Sequence, residues 1–219
     1  MDFKGAIFDM DGTLINSLVV WESIFSTIFK KFNSGEVINF TPQEIKTFCT
    51  STFDKTSEYL HTKYSLGNST QEILDTFNSS VYDFYSSEVK VKDGVIEFLE
   101  YCLENNVKMC LASATDISLM HVAVKHCGLK KYFSHIISCS EIGKGKEFPD
   151  IYLKGLELLG TEKAETYIFE DSLISVKTAK SAGFTVVAVY EPLNTGHDEI
   201  KKTADIYIAE GETLMKIVK

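Results

Sequence analysis

The sequence predicts an α/β protein: a parallel sheet flanked by helices, with an all-helical segment inserted after the first strand. Three observations carry that expectation. The apolar run Ala6–Phe8 leads directly into two acids and a glycine, Asp9-Met10-Asp11-Gly12. From Leu18 to about Glu88 apolar residues recur only at helical spacing, whereas beyond Val91 short apolar strands alternate with amphipathic helices. Such alternation implies crossover connections and parallel neighbours. A lone strand at residues 4–8 needs those neighbours. The economical architecture is therefore one α/β core, built from residues 1–15 and 90–219, with residues 16–89 inserted as a four-helix unit.

The elements follow in order. Ala6–Phe8 carries no charge and reads as a strand buried on both faces. Trp21, Ile24, Phe25, Ile28, Phe29 and Phe32 mark a first helix. Thr41-Pro42-Gln43-Glu44 is a helix start, with threonine as cap and proline at the first position. A third helix is expected over Thr56–Tyr64 and a fourth from Ser69 or Thr70, carrying Ile73, Phe77, Val81 and Phe84. The core resumes with a helix at Val95–Asn105 and a strand from Val107 that ends at Ser113. Next come a helix at Leu119–Cys127 stopped by Gly128 and a strand at His135–Ser138. Pro149 opens a helix that ends near Gly160. Strands at Thr166–Phe169, Thr185–Val189 and Ile206–Ile208, with a helix at Ser172–Ala182, complete the pattern.

Composition narrows the function classes. The chain has 219 residues, 44% hydrophobic and 24% charged, which suits a soluble globular protein rather than a disordered one. No apolar run approaches the roughly 18 residues a membrane span needs, and no basic-then-apolar leader is evident. The five cysteines are dispersed without a Cys-x-x-Cys pair, which argues for reduced thiols in the cytoplasm and against a zinc site. A net charge of −9 argues against nucleic-acid and anionic-membrane partners. All 22 basic residues are lysine, so no site can use a guanidinium fork on phosphate. A monomer is expected.

Four features fall at strand ends or helix starts on one edge of the expected sheet. The first is Asp9-x-Asp11-Gly12. Two carboxylates this close repel unless a cation or proton lies between them. Mg²⁺ meets that need while leaving positions for phosphate, and a carboxylate can attack phosphorus to form an aspartyl-phosphate. Aspartate and glycine are also ordinary turn residues, so this tetrad alone does not decide. The second is Ser113, delivered by an apolar strand, whose hydroxyl can donate to a phosphate oxygen. The third is Lys146, just ahead of the Pro149 helix, able to neutralise carboxylate and phosphate as a point charge. The fourth is Glu170-Asp171, a second acid pair at a strand end, where unpaired buried charge is expensive. Asp171 would complete a Mg²⁺ shell, and Glu170 would hold that shell or Lys146. Together they supply a nucleophile, a metal site, hydrogen-bond donors and a positive charge, the parts that phosphoryl transfer requires.

These residues resemble the haloacid dehalogenase superfamily, in the branch with a helical cap inserted after the first motif. Asp9-Met10-Asp11-Gly12-Thr13-Leu14 matches the first family motif, Ser113 the second, Lys146 the third and Glu170-Asp171 the fourth. The resemblance implies a Rossmann-like core and Mg²⁺ held by Asp9, the Asp11 backbone carbonyl, Glu170 and Asp171. It also implies a phospho-aspartate at Asp9, with Asp11 as general acid and base. Gly12, Ser113, Ala114 and Lys146 would bind phosphate. The chain departs from the family pattern at Asn16, Glu147 and Ser175.

Among reactions, Asp11 favours phosphate esters, whose oxygen leaving group needs a proton. The leading expectation is a Mg²⁺-dependent phosphatase acting on a small phosphorylated metabolite. The alternative is a β-phosphoglucomutase-like hexose-phosphate mutase, which the absence of arginine disfavours. A non-catalytic binding protein on the same scaffold is disfavoured by the presence of Asp9, Asp11, Lys146 and Asp171 together. Substrate choice is assigned to the cap, with Trp21, Phe53 and Lys55 as candidates.

Overall fold

The computed structural model describes residues 3–32, 40, 41, 44 and 53–218, and for Trp21, Glu22, Ser23 and Phe53 the backbone alone. The chain divides into two compact units, one formed by Met1–Leu18 with Val89–Lys219 and the other by Val19–Glu88.

The larger unit is a Rossmann-like parallel sheet of six strands in the order β3-β2-β1-β4-β5-β6. Its strands are β1 (Gly5–Phe8), β2 (Lys108–Ser113), β3 (His135–Ser138), β4 (Thr166–Glu170), β5 (Thr185–Val189) and β6 (Ile206–Ile208). The chain builds outward from β1 through β2 to β3, then returns to lay β4 on the other side of β1. The switch point therefore lies between β1 and β4, where open α/β sheets bind ligands.

Both faces of the sheet are covered, which is why its strands read as continuous apolar runs. All four residues of β1 are buried. Ile7 joins Ile168, Val186, Ile151 and Tyr152 on one face. On the other face Phe8 stacks on Phe169 with ring centroids 4.3 Å apart and meets Phe98 edge-on. Gly155 brings the helix Asp150–Leu159 against β1 so closely that an added Cβ would lie 2.8 Å from Ile7 Cδ1.

Helices of this unit are α4 (Val95–Glu104), α5 (Ile117–His126), α6 (Cys139–Ile142), α7 (Asp150–Leu159), α8 (Leu173–Ser181) and α9 (His197–Thr203). Three differ from expectation. The short helix α6, capped by Ser138 in a reciprocal cap with Glu141, was not foreseen. The helix expected from Leu119 begins two residues earlier, because Asp116 accepts from Ser118 N and serves as its cap. Helix α9 was not foreseen. Ile200 is its one buried residue, so it has no apolar period to read.

The smaller unit contains α1 (Val20–Phe32), α2 (Phe53–Tyr64) and α3 (Thr70–Ser87), with α3 packed against both others. Ile24, Ile28, Leu60, Ile73 and Phe77 form its apolar interior. Ser69 caps α3 by accepting from Glu72 N. The helix expected at Thr41 falls mostly outside the described residues. Its first turn does show a reciprocal cap: Glu44 accepts from Thr41 N at 2.8 Å, and Thr41 Oγ1 accepts from Glu44 N. Cys49 also lies outside the described residues; Cys102, Cys110, Cys127 and Cys139 are free thiols. No helix among the described residues is long and apolar enough to cross a membrane.

Candidate active site

Sheet parity places the first acid. Ile7 and Ile168 face the same side and pair in register across β1 and β4. Two residues further on, Asp9 and Glu170 inherit that side. Asp9 continues the ladder by donating its backbone N–H to Phe169 O at 2.9 Å. From the loop before α7, Lys146 reaches this face and donates to both Asp9 Oδ1 and Glu170 Oε1, the latter at 2.6 Å. Tyr152, in the first turn of α7, also donates to Glu170 Oε1, at 2.8 Å. Lys146 is thus held from behind by Glu170, which Tyr152 fixes in turn.

The acid that follows β4, Asp171, is held by Thr13 Oγ1 at 3.1 Å and by Asn194 Nδ2 at 2.6 Å. Gly12 has φ +80°, and a Cβ there would overlap the Asp171 carboxylate. Only glycine allows the β1 loop both that turn and that approach.

Asp11 occupies a different environment. Parity on β2 puts Cys110 and Ala112 on the Ile7 side, so Ser113 belongs to the opposite side. Its hydroxyl donates to Asp11 Oδ2 at 3.2 Å, joined by Thr115 Oγ1 at 2.7 Å, while Ser17 Oγ donates to Asp11 Oδ1 at 2.6 Å. Ser113 Oγ also accepts from Thr115 N at 3.1 Å. Hydroxyls can donate or accept, so this shell can accommodate Asp11 with or without a proton by rotating.

Burial pushes the Asp9 carboxyl well above its ordinary range. Lys146 opposes that shift, and the nearby Glu170, Asp171 and Asp11 charges add to it. Burial first, then Glu170, raises Asp171 to about 7. Burial alone would lower Lys146, but Asp9 and Glu170 outweigh it and hold the ammonium charged. Asp9, Glu170 and Asp171 each offer one carboxylate oxygen, and these atoms lie within 4.8 Å of one another. Three buried acids share one ammonium, so holding all three ionised calls for further positive charge. An all-oxygen donor set of this kind fits a hard dication such as Mg²⁺.

The structure thus brings together Asp9, Lys146, Glu170 and Asp171, with Gly12 against Asp171 and Ser113 on Asp11. Ala114 is exposed at the bend after β2. Lys55 is exposed on α2, while the side chains of Trp21 and Phe53 lie outside the described residues. Sequence reading missed Thr13, Ser17, Thr115, Tyr152 and Asn194. Thr13 lies within the first quoted motif and Thr115 two residues after Ser113, and both carry hydroxyls, a usable signal. Tyr152 and Asn194 carry none, since only the tertiary fold brings them to Glu170 and Asp171.

Fold and site together define a Rossmann-like α/β protein with an acid–lysine cluster at its switch point. The chain belongs to the haloacid dehalogenase-like hydrolase family, whose sequence profile matches residues 6–189. The bifunctional riboflavin kinase/FMN phosphatase of Arabidopsis thaliana is 28% identical over 194 residues, covering 84% of this chain. The match covers 47% of that protein, so this chain spans about half of it. The phosphorylated carbohydrates phosphatase of Thermotoga maritima is 25% identical over 217 residues, which cover 99% of this chain and 98% of that one. The crystal structure of a candidate β-phosphoglucomutase from Thermotoga maritima shares the fold. Its TM-score is 0.77 at 24% identity, covering 94% of both chains.

Proposed function

We propose that this chain is a Mg²⁺-dependent phosphatase of small phosphorylated metabolites, with Asp9 as nucleophile and Asp11 as general acid and base. The observation that carries the reading is the division of labour between the two acids. Asp9 is buried and faces the acid cluster, where burial and the neighbouring acids work against its charge and Lys146 is the cation that offsets them. Asp11 is half-buried in a shell of three hydroxyls that tolerates either protonation state.

In the first step an Asp9 oxygen attacks phosphorus, the ester P–O bond breaks, and Asp11 protonates the leaving oxygen. In the second, Asp11 takes a proton from water, which attacks the phospho-aspartate and releases phosphate. Lys146 neutralises Asp9 in the resting site and the phosphoryl oxygens during transfer. Asp9, Glu170, Asp171 and the Asp11 carbonyl would hold Mg²⁺, which when bound supplies positive charge to the transferring group. Ser113 and the Ala114 backbone are assigned to phosphate.

Residues 16–89 are assigned as a cap on the core of residues 1–15 and 90–219. Trp21, Phe53 and Lys55 are its candidates for substrate choice, because the core residues meet only phosphate and metal. The full-length phosphatase relative supports hydrolysis. The sequence holds no arginine, which counts against a mutase needing to grip a second phosphate.

The test is a panel of phosphorylated sugars, nucleotides and p-nitrophenyl phosphate. The proposal expects release of inorganic phosphate that EDTA abolishes and Mg²⁺ restores. Full activity in EDTA would contradict the metal assignment. Isomerisation of a hexose phosphate that requires a bisphosphate activator would replace hydrolysis with the mutase reading.

A further inference from the structure

Lys92 and Glu191 form a partly buried ion pair that the chemistry above does not use. Their side chains are 14% and 5% exposed, and Lys92 Nζ lies 2.8 Å from Glu191 Oε2. Lys92 Nζ also donates to Gly12 O at 2.6 Å and to Tyr190 O at 3.0 Å. One ammonium therefore spends its three protons on three acceptors from two separate loops. The first loop carries Asp9, Asp11 and Gly12. The second leaves β5 and turns at Glu191-Pro192-Leu193-Asn194, where Asn194 N donates to Glu191 O at 3.0 Å. Pro192 sits at the second position of that turn, where its fixed φ suits it. Glu191 Oε1 accepts from Leu193 N at 3.3 Å, so the same side chain that pairs Lys92 also shapes the turn. That turn delivers Asn194 Nδ2 to both Oδ2 and the backbone O of Asp171, at 2.6 and 3.1 Å.

Backbone contacts lock Lys92 to the first loop as well. Lys92 N donates to Leu14 O at 2.9 Å, and Asn16 N donates to Lys90 O at 2.8 Å. A cavity of about 250 Å³ adjoins both loops, lined by Thr13, Asn16, Lys92, Tyr190 and Pro192 and, beyond them, by residues 208–214.

We propose that Lys92 and Glu191 are a positioning pair, which sets the loop of Asp9 and Asp11 against the turn that holds Asp171 and so fixes the spacing of the metal-binding acids. Neither residue touches phosphate or the reacting atoms. The inference rests on the Mg²⁺-phosphatase reading. Residues that orient metal ligands without binding metal typically matter about 10- to 100-fold in affinity or activity.

The test titrates MgCl₂ into the full chain while recording thermal unfolding, alongside p-nitrophenyl phosphate turnover at each concentration. Wild type, Lys92→Met, Lys92→Arg and Glu191→Gln are compared. Lys92→Met should raise the Mg²⁺ midpoint of the thermal shift by about tenfold or more, with the turnover midpoint moving in parallel. Glu191→Gln should raise it less, and Lys92→Arg, which keeps the donors, should restore most of the loss. A lower melting temperature with Mg²⁺ midpoints within about twofold of wild type would make the pair a structural brace and overturn the proposal. If Lys92→Met does not fold, Glu191→Gln decides alone, and a wild-type midpoint there overturns it. A wild type with neither a Mg²⁺ shift nor turnover would instead refute the phosphatase reading, and the positioning role with it.

Discussion

Asp9→Asn is expected to abolish turnover of p-nitrophenyl phosphate while leaving the chain folded. An amide has no charged oxygen to attack phosphorus, and the neighbouring Glu170 and Asp171 are already engaged by Lys146, Thr13 and Asn194. The expected loss is at least roughly 10⁴-fold, about 5.4 kcal/mol in the barrier. Stability should hold or rise in the absence of metal. Asp9 is one of three buried acids in the cluster, and removing its charge relieves repulsion among the others. Lys146 keeps Glu170 as partner at 2.6 Å. Thermal unfolding in EDTA checks this: Asp9→Asn should melt at or above the wild-type temperature. An inactive variant that melts well below wild type would show only a lost fold.

Lys146→Met is expected to harm both activity and stability, the opposite pattern. The methionine roughly keeps the apolar stem but leaves Asp9, Glu170 and Asp171 without the ammonium that holds two of them. Breaking a buried ion pair from one side costs about 3–5 kcal/mol, because the partner charge stays buried. Loss of one preorganised charge facing the transferring group costs about 10²–10³-fold in rate. Metal-free Lys146→Met should therefore melt lower than wild type, and added Mg²⁺ should recover part of the difference by supplying positive charge to the same acids. Wild-type stability in EDTA would mean that the three acids share protons rather than relying on the lysine.

The sequence was most legible where chemistry and strand geometry coincide. The uncharged run before Asp9, the apolar residues before Glu170 and the glycine after Asp11 all read correctly as strand ends turning into loops, because buried parallel strands tolerate no other composition. The strands Thr185–Val189 and His135–Ser138 were found at their observed bounds for the same reason. What the sequence hid depends on register between distant segments. Nothing near Asn194 announces that it reaches Asp171, 23 positions away. Nothing near Lys92 announces Glu191, 99 positions away. Tyr152 reads as one more apolar residue of a helix face until α7 is packed on β1 and its hydroxyl meets Glu170. Ser113 also donates to Asp11, a contact set by the parity of β2 rather than by residue type. Helix α9 was invisible because a helix with one buried residue has no periodicity.

The central claim is that phosphate passes through a covalent bond to Asp9. It is tested most directly by quenching the enzyme in acid during turnover of p-nitrophenyl phosphate labelled in its phosphoryl group, followed by peptide mapping. The account predicts a labelled peptide with phosphate on Asp9, absent from Asp9→Asn and accumulating in Asp11→Asn, whose second step is slowed by loss of the base that activates water. Label on Asp11, or turnover in Asp9→Asn close to wild type, would contradict it.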